Sequence, residues 1–289
     1  MEAIKYVRPD SVDDAVRSLA SANDPVRVLA GGTDLLVQLR AGNIRPGLVV
    51  DIKGIAELKQ IQVTAAGCRI GAAVSGAELG DRADVIAQWP GVVEAFQLIG
   101  STQIQGRASL GGNLCNASPA ADSVPALIAA SARCTIAGPA GRREAAVEDI
   151  VIAPGKTSLA RGEFIVDFLL PARPAHSGDA YLRFIPRTEM DIAVVGAGVS
   201  LTLDANGRCT AARLALGAVA PRPLLVPAGA TALIGTRVDD AALEKLAATA
   251  SAACAPIDDK RGTIEFRTRV AGVLARRAAV IALQRAKGN

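Results

Sequence analysis

Two short glycine-rich stretches, Ala30-Gly31-Gly32-Thr33-Asp34 and Ser109-Leu110-Gly111-Gly112-Asn113, constrain this chain more than any other feature. Each follows or interrupts apolar sequence, so the backbone must turn tightly at the end of a buried segment. Glycine permits φ > 0 and lets the backbone approach a neighbour or a ligand closely. Successive N–H groups in such a turn form a concavity that attracts anions. A single glycine pair is ordinary loop punctuation. Two such turns, in a chain with no P-loop and no G-x-G-x-x-G pattern, point to a phosphorylated ligand gripped from two sides. A diphosphate cofactor fits that description.

The flanking sequence places both turns. Ser11 and Asp14 form a capping pattern ahead of Val12, Ala15, Val16 and Leu19 at helical spacing. A strand over Val26–Ala30 runs into the first turn, and a helix from Leu35 to Ala41, stopped by Gly42, leaves it. An anion at that junction would also feel the helix dipole. Strands are expected over Leu48–Ile52 and Cys68–Ala72, with a helix start at Ser75 and Glu78. Gly91–Ile99 reads as a helix ended by Gly100, and Ser123–Ala132 as another with Pro125 in its first turn. Asp122, read alone, is the N-cap of that helix. Strands follow at Cys134–Ala137 and Phe164–Leu170, and the run Pro171–Gly178 reads as a linker. Beyond it come strands at Ala193–Leu203 and Leu214–Val219 with a hairpin signal at Asn206-Gly207, then helices over Ala241–Ala252 and Phe266–Arg285.

Composition excludes several classes. The 289 residues favour two domains, and half of them are apolar. One Trp, two Tyr and five Phe are too few for a stacking platform, and the net charge of +4 comes from interspersed signs, so nucleic-acid binding is not expected. Met1–Tyr6 lacks the pattern of a signal peptide, and no apolar run is long enough to span a bilayer, so a cytoplasmic protein is expected. The five cysteines, Cys68, Cys115, Cys134, Cys209 and Cys254, are widely spaced with no C-x-x-C. They read as reduced core thiols, Cys115 included, and no metal site is expected. His176 is the single histidine and falls in the linker, which argues against a Ser-His-Asp hydrolase, a multi-histidine metal centre or histidyl-flavin attachment. No catalytic acid or base stands out.

The motifs, in their order, resemble the flavin-binding medium subunit of molybdenum hydroxylases, the family of xanthine and carbon monoxide dehydrogenases. Ala30–Leu35 resembles the family's first FAD loop. Gln103-Ile104, Ala108–Leu114 and Ala117–Asp122 resemble its second. Gly155-Lys156-Thr157, Gly162-Glu163 and Pro171 follow the pattern leading to the linker. Arg183-Phe184, Arg187, Asp191-Ile192-Ala193 and Gly217–Pro221 resemble its C-terminal domain. Two departures stand out. Gln105-Gly106 occupies a place where relatives often carry Arg-Asn, and the cysteine-bearing insertion of 4-hydroxybenzoyl-CoA reductase is missing.

The resemblance implies an α+β chain. Its FAD-binding domain, of the vanillyl-alcohol-oxidase type, would span residues 1–176 in two subdomains (about 1–55 and 56–176). A small C-terminal domain, an antiparallel sheet plus helices, would span 177–289. It further implies non-covalent FAD held by Val28, Leu29, Ala30, Gly31, Gly32, Thr33, Asp34 and Leu35 from one side. Ile99, Ala108, Ser109, Gly111, Gly112 and Asn113 would hold it from the other. Asp122, Ile165 and Arg183 would complete the site, Arg183 keeping a positive charge where many relatives have Lys. The molybdenum cofactor and [2Fe–2S] clusters would sit on a large and a small partner subunit, in a dimer of heterotrimers. The chain would be an oxidoreductase subunit passing electrons from those clusters to an external acceptor. The alternative is a self-contained two-domain flavoenzyme acting on its own substrate.

Overall fold

The computed structural model describes residues 4–288; Met1–Ala3 and Asn289, the outermost residues of the expected domains, lie outside the described residues. The chain begins with β1 (Lys5–Val7), α1 (Val12–Ser21), β2 (Val26–Leu29), α2 (Leu35–Arg40) and β3 (Leu48–Asp51). The three strands form a parallel sheet with β3 in the middle, so each connection must cross over, and each carries a helix. Helix α1 forms as its spacing predicts. Ser11 Oγ accepts the Asp14 N–H at 3.1 Å, and Val12, Ala15 and Leu19 are buried. They meet Val50, Ile52 and Leu58 in a small core. The first glycine turn is the β2-to-α2 connection.

The second part runs β4 (Ile61–Thr64), β5 (Gly67–Gly71), α3 (Gly76–Gly80), α4 (Ala83–Gln88), α5 (Pro90–Gln97), α6 (Thr102–Gln105), α7 (Leu110–Cys115) and α8 (Ser123–Ala129). It continues with β6 (Arg133–Gly138), β7 (Gly141–Ala146), β8 (Val151–Ala153), β9 (Lys156–Thr157) and β10 (Phe164–Pro171). Five strands make an antiparallel sheet in the order β4-β5-β10-β6-β7. Its central strand, β10, is read correctly as a nearly continuous apolar run. Ser75 and Glu78 complete a reciprocal capping box at α3. Gly100, at φ +63, turns the chain away after α5. Helix α8 is shorter than expected, stopping at Ala129 before Ser131 adopts φ +56. The second glycine stretch forms α7 itself rather than an open loop.

The third part comprises β11 (Ser177–Phe184), β12 (Val195–Leu203), β13 (Cys209–Gly217), β14 (Leu224–Leu225), α9 (Pro227–Leu233), α10 (Asp240–Ala252) and α11 (Ile264–Gly288). Its strands form an antiparallel sheet in sequence order, with Gly207 at φ +74 in the β12–β13 turn. The expected linker is shorter than Pro171–Gly178, because Pro171 ends β10 and Ser177 opens β11. It is also tied down. The Arg173 guanidinium stacks 4.5 Å from the Trp89 ring centroid and pairs with Asp179 at 2.9 Å. His176 is exposed, as expected for a loop residue.

Helices α5 and α8 lie between the two antiparallel sheets. Gly198 of β12 sits against Pro125 and Ala126 of α8, and Gly91 of α5 against Ala180 of β11, each too close to admit a side chain. Helix α11 crosses the C-terminal sheet where Gly178 meets the Ala282 carbonyl. Among the described residues, no helix is long and apolar enough to cross a membrane.

Candidate functional site

A cavity of about 520 Å³ opens between the parallel sheet and the five-stranded sheet. Its volume lies within the ordinary range of small-molecule sites. One wall is the end of β2 with the first glycine turn; a second is α7; a third is the Phe164-Ile165 end of β10 with Gly155, Thr157 and Leu159. The sheet register slips between Ile165 and Asp167, and such a bulge re-aims side chains where a strand meets a site.

The first turn has the properties expected of it. Gly32 adopts φ +82, a conformation open to glycine and strained for other residues. Among the described residues, the N–H groups of Gly31, Gly32, Thr33 and Asp34 take no backbone or side-chain acceptor. Four consecutive unpartnered donors at a cavity lining are an anion nest. The six-residue α2 behind them contributes little dipole, so these donors carry the attraction. The Asp34 side chain does not cap α2; burial at the cavity wall raises its carboxyl above the usual range.

The second turn departs from expectation. Gly111 N–H donates to the Ala72 carbonyl at 3.1 Å, Gly112 N–H to Ser109 Oγ at 3.1 Å, and Asn113 N–H to the Ser109 carbonyl at 2.9 Å. Its donors are therefore spent inside the fold. What its glycines provide is proximity. A side chain at Gly111 would collide with the Ala72 backbone, so α7 packs on the end of β5, and one at Gly31 would collide with the Arg107 carbonyl, so the first stretch touches the chain just ahead of the second. Gly112 is less crowded: a Cβ there would press on Ser109 Oγ alone, at 3.2 Å, and that hydroxyl would have to give slightly.

Of the residues expected at the site, all but Leu29, Asp122 and Arg183 line the cavity. The Leu29 side chain lies under the turn, against Gly32. Asp122 stands at the N-cap position of α8, but its side chain does not cap the helix: the carboxylate accepts from Tyr181 Oη at 2.9 Å and from Arg183 Nη1 at 2.8 Å. Burial pushes its pKa up to about 6, against the pull of Arg183 and Tyr181, and the same burial raises the Tyr181 phenol well above its usual value. This buried cluster joins α8 to β11. One residue on, Ser123 N–H and Oγ donate to Asn113 Oδ1 at 3.3 and 2.6 Å, connecting the cluster to the cavity wall.

Several further residues line the cavity, some with no sequence signal. Gln38 of α2 and Asn116 at the end of α7 are joined by a 3.1 Å side-chain hydrogen bond, Gln38 Nε2 donating to Asn116 Oδ1. Glu163 lines the wall while paired with Arg143 at 2.7 Å. Its place in the Gly162-Glu163 motif was the only pointer to it. Cys115 is exposed at the cavity rather than buried, whereas Cys68, Cys134 and Cys209 are core thiols as expected. Gln105, at the position of the departure noted above, donates to the Ile99 carbonyl at 3.4 Å and is not in the lining. Among the described residues, no cluster of His, Cys, Asp and Glu could hold a metal ion.

Comparison with known proteins agrees with this arrangement. Residues 2–173 match the FAD binding domain in molybdopterin dehydrogenase, and residues 180–281 the CO dehydrogenase flavoprotein C-terminal domain. The carbon monoxide dehydrogenase medium chain of Afipia carboxidovorans is 34% identical over 98% of this chain and 97% of its own length. The xanthine dehydrogenase FAD-binding subunit of Escherichia coli O157:H7 is 32% identical over 98% of this chain and 97% of its own. The reconstituted CO dehydrogenase of Oligotropha carboxidovorans superimposes with a TM-score of 0.94 at 33% identity, covering 98% of both chains. Quinoline 2-oxidoreductase of Pseudomonas putida 86 superimposes with a TM-score of 0.90 at 27% identity, again covering 98% of both chains. The chain belongs to the FAD-binding medium-subunit family of the molybdenum hydroxylases.

Proposed function

We propose that this chain is the cytoplasmic FAD subunit of a molybdenum hydroxylase, carrying electrons between an iron–sulfur partner subunit and an external acceptor. The observation that carries this reading is the nest of unpartnered N–H groups from Gly31 to Asp34 in the cavity lining. Such donors suit a pyrophosphate without requiring cationic side chains. FAD, when bound, supplies the redox chemistry; the protein supplies binding, orientation and electrostatics.

In this reading Ala30–Leu35 hold the pyrophosphate, with the Thr33 hydroxyl as a further donor. Val28, Ile99, Ala108 and Ile165 offer apolar surface to the rest of the cofactor. Ser109, Gly111, Gly112 and Asn113 form the facing wall, where missing side chains make room. Leu29 supports the turn from below. Asp122 and Arg183 contribute from the C-terminal side as a pair that holds α8 to β11, next to the wall that Ser123 anchors. We assign residues 1–176 to the cofactor domain, divided near residue 55, and 177–289 to the C-terminal domain. The molybdenum cofactor and the [2Fe–2S] clusters belong to the large and small partner subunits, in a dimer of heterotrimers.

Acid precipitation of the purified protein tests the cofactor assignment. One FAD per chain should appear in the supernatant. Flavin retained in the pellet, or FMN in solution, would contradict it. The subunit assignment is tested by partner dependence. With its partners, reducing substrate should bleach the flavin; rapid bleaching of the isolated chain by an organic substrate would favour a self-contained flavoenzyme.

A further inference from the structure

Helix α2 is weakly anchored at the cavity. None of its residues is buried, and Leu36 and Val37 are 57% and 65% exposed. Glycines in left-handed conformations bracket it, Gly32 at φ +82 and Gly42 at φ +72, and nothing lies within 4 Å of the Cβ position at Gly42. The chain just before it is fixed, because Gly31 packs directly on the Arg107 carbonyl. A segment with few buried contacts, bounded by glycine turns, sits at the low end of local stability. Yet Leu35 and Gln38 of this helix form part of the cavity wall. Among the described residues, the one side-chain hydrogen bond between α2 and the opposite wall is Gln38 Nε2 to Asn116 Oδ1, at 3.1 Å, joining residues 78 apart in sequence.

We propose that Gln38 and Asn116 are positioning residues that latch α2 as a flap over the cofactor cavity, so that their hydrogen bond governs how often the cofactor can enter and leave. This rests on the reading that the cavity holds FAD. The apolar wall and the Gly31 and Gly32 N–H groups stay with the fixed chain; the Thr33 and Asp34 N–H groups move with the flap that the latch holds. Opening requires only that one half-buried hydrogen bond break and that the backbone swing about Gly32 and Gly42. The motion uncovers only the half-buried faces of Leu35 and Leu39, because no side chain of α2 is fully buried.

A gate and a contact differ in kinetics. Removing a direct cofactor contact speeds dissociation and leaves association unchanged. Removing a latch speeds both, because the open state serves entry and exit alike. The experiment measures FAD association and dissociation by flavin fluorescence on the full chain as purified with its partner subunits. Wild type is compared with Gln38→Ala, Asn116→Ala and the double variant. Each single substitution should raise both rate constants by roughly threefold to tenfold, the range set by loss of one hydrogen bond. The double variant should match the singles, since both remove the same bond. Hydrogen exchange of the apoprotein should show the amides of α2 exchanging far faster than those of β10. Faster dissociation with unchanged association would make these residues cofactor contacts and overturn the latch, as would α2 amides as protected as the sheet. Absence of flavin from the wild-type protein would instead overturn the functional reading beneath it.

Discussion

The two glycine stretches look alike in sequence and do opposite work. At Gly31–Asp34 the backbone donors face no acceptor in the fold, so they remain available to an anion. At Gly111–Asn113 the equivalent donors are consumed by Ala72 and Ser109, and the glycines serve to bring the wall close. A glycine pair therefore marks either a place where backbone must bind something or a place where backbone must fit something. Only the acceptors around it tell which.

The comparison can be broken first at Gly31. Alanine there drives a Cβ into the Arg107 carbonyl, backbone against backbone, so the two walls must separate. We expect loss of FAD together with roughly 3 kcal/mol of stability, the upper part of the range for overpacking, read by flavin content and chemical denaturation. An FAD-replete Gly31→Ala protein of wild-type stability would show that the stretches do not depend on contact. Next comes Gly32→Val. A β-branched residue at φ +82 is strained by about 1–3 kcal/mol, and the reshaped turn should lose FAD while the protein stays folded. By contrast, Gly112→Val needs no left-handed backbone and should cost FAD through lost space, with a slight push on the Ser109 cap; full flavin occupancy in both variants would remove the site from these turns.

The anchoring of the second wall is sharpened by pH. Asp122 has a folded pKa of about 6, above its unfolded value of 3.8. A carboxyl raised on folding contributes stability that is present below about pH 4 and lost as pH rises through about 6. Asp122→Asn lacks this titration. The stability advantage of wild type over the variant should therefore shrink by about 2 kcal/mol between pH 4 and 7, in paired melting curves. A pH-independent difference would mean that Asp122 titrates as it does in the unfolded chain. The smallest effect is expected from Ser109→Ala. It removes the hydroxyl that caps α7 at Gly112, at a cost of about 1 kcal/mol by denaturation. If the second wall merely fits, affinity for FAD should hardly change; tighter binding would show that the freed Gly112 donor can also bind.

Much of this was legible in the sequence because the signals were local. Ser11 with Asp14 and Ser75 with Glu78 carry their capping partners three residues away, and Asn206-Gly207 carries its own turn. The first glycine turn was legible because it ends an apolar strand. The fate of the second was not, since the acceptor for Gly111 is the carbonyl of Ala72, far off in sequence. Strand β7 gave no alternation because it is an edge. Its Arg142 and Arg143 pair outward with Glu57 and Glu163 instead of facing a core. Gln38 and Asn116 belong to no motif, and only folding makes them neighbours. Arg183 was legible as a positive charge but not as one already compensated by Asp122. Placing Glu there would set two carboxylates face to face in a buried space, and would report on folding before it reported on the flavin.

The layer of α5 and α8 between two sheets bears on how the chain is made. Strand β10 fills the centre of the five-stranded sheet, between β5 and β6, yet it is the last of those strands to be synthesised. Until it emerges from the ribosome, β4-β5 and β6-β7 are separate hairpins with unpaired inner edges. Even then α5 and α8 show an uncovered face until β11, β12 and β13 follow. Such long-range closure is slow, and open strand edges invite misassociation. The nascent chain is thus exposed for most of its synthesis, and slowing translation ahead of β10 should lower the yield of folded protein more than slowing it after β13.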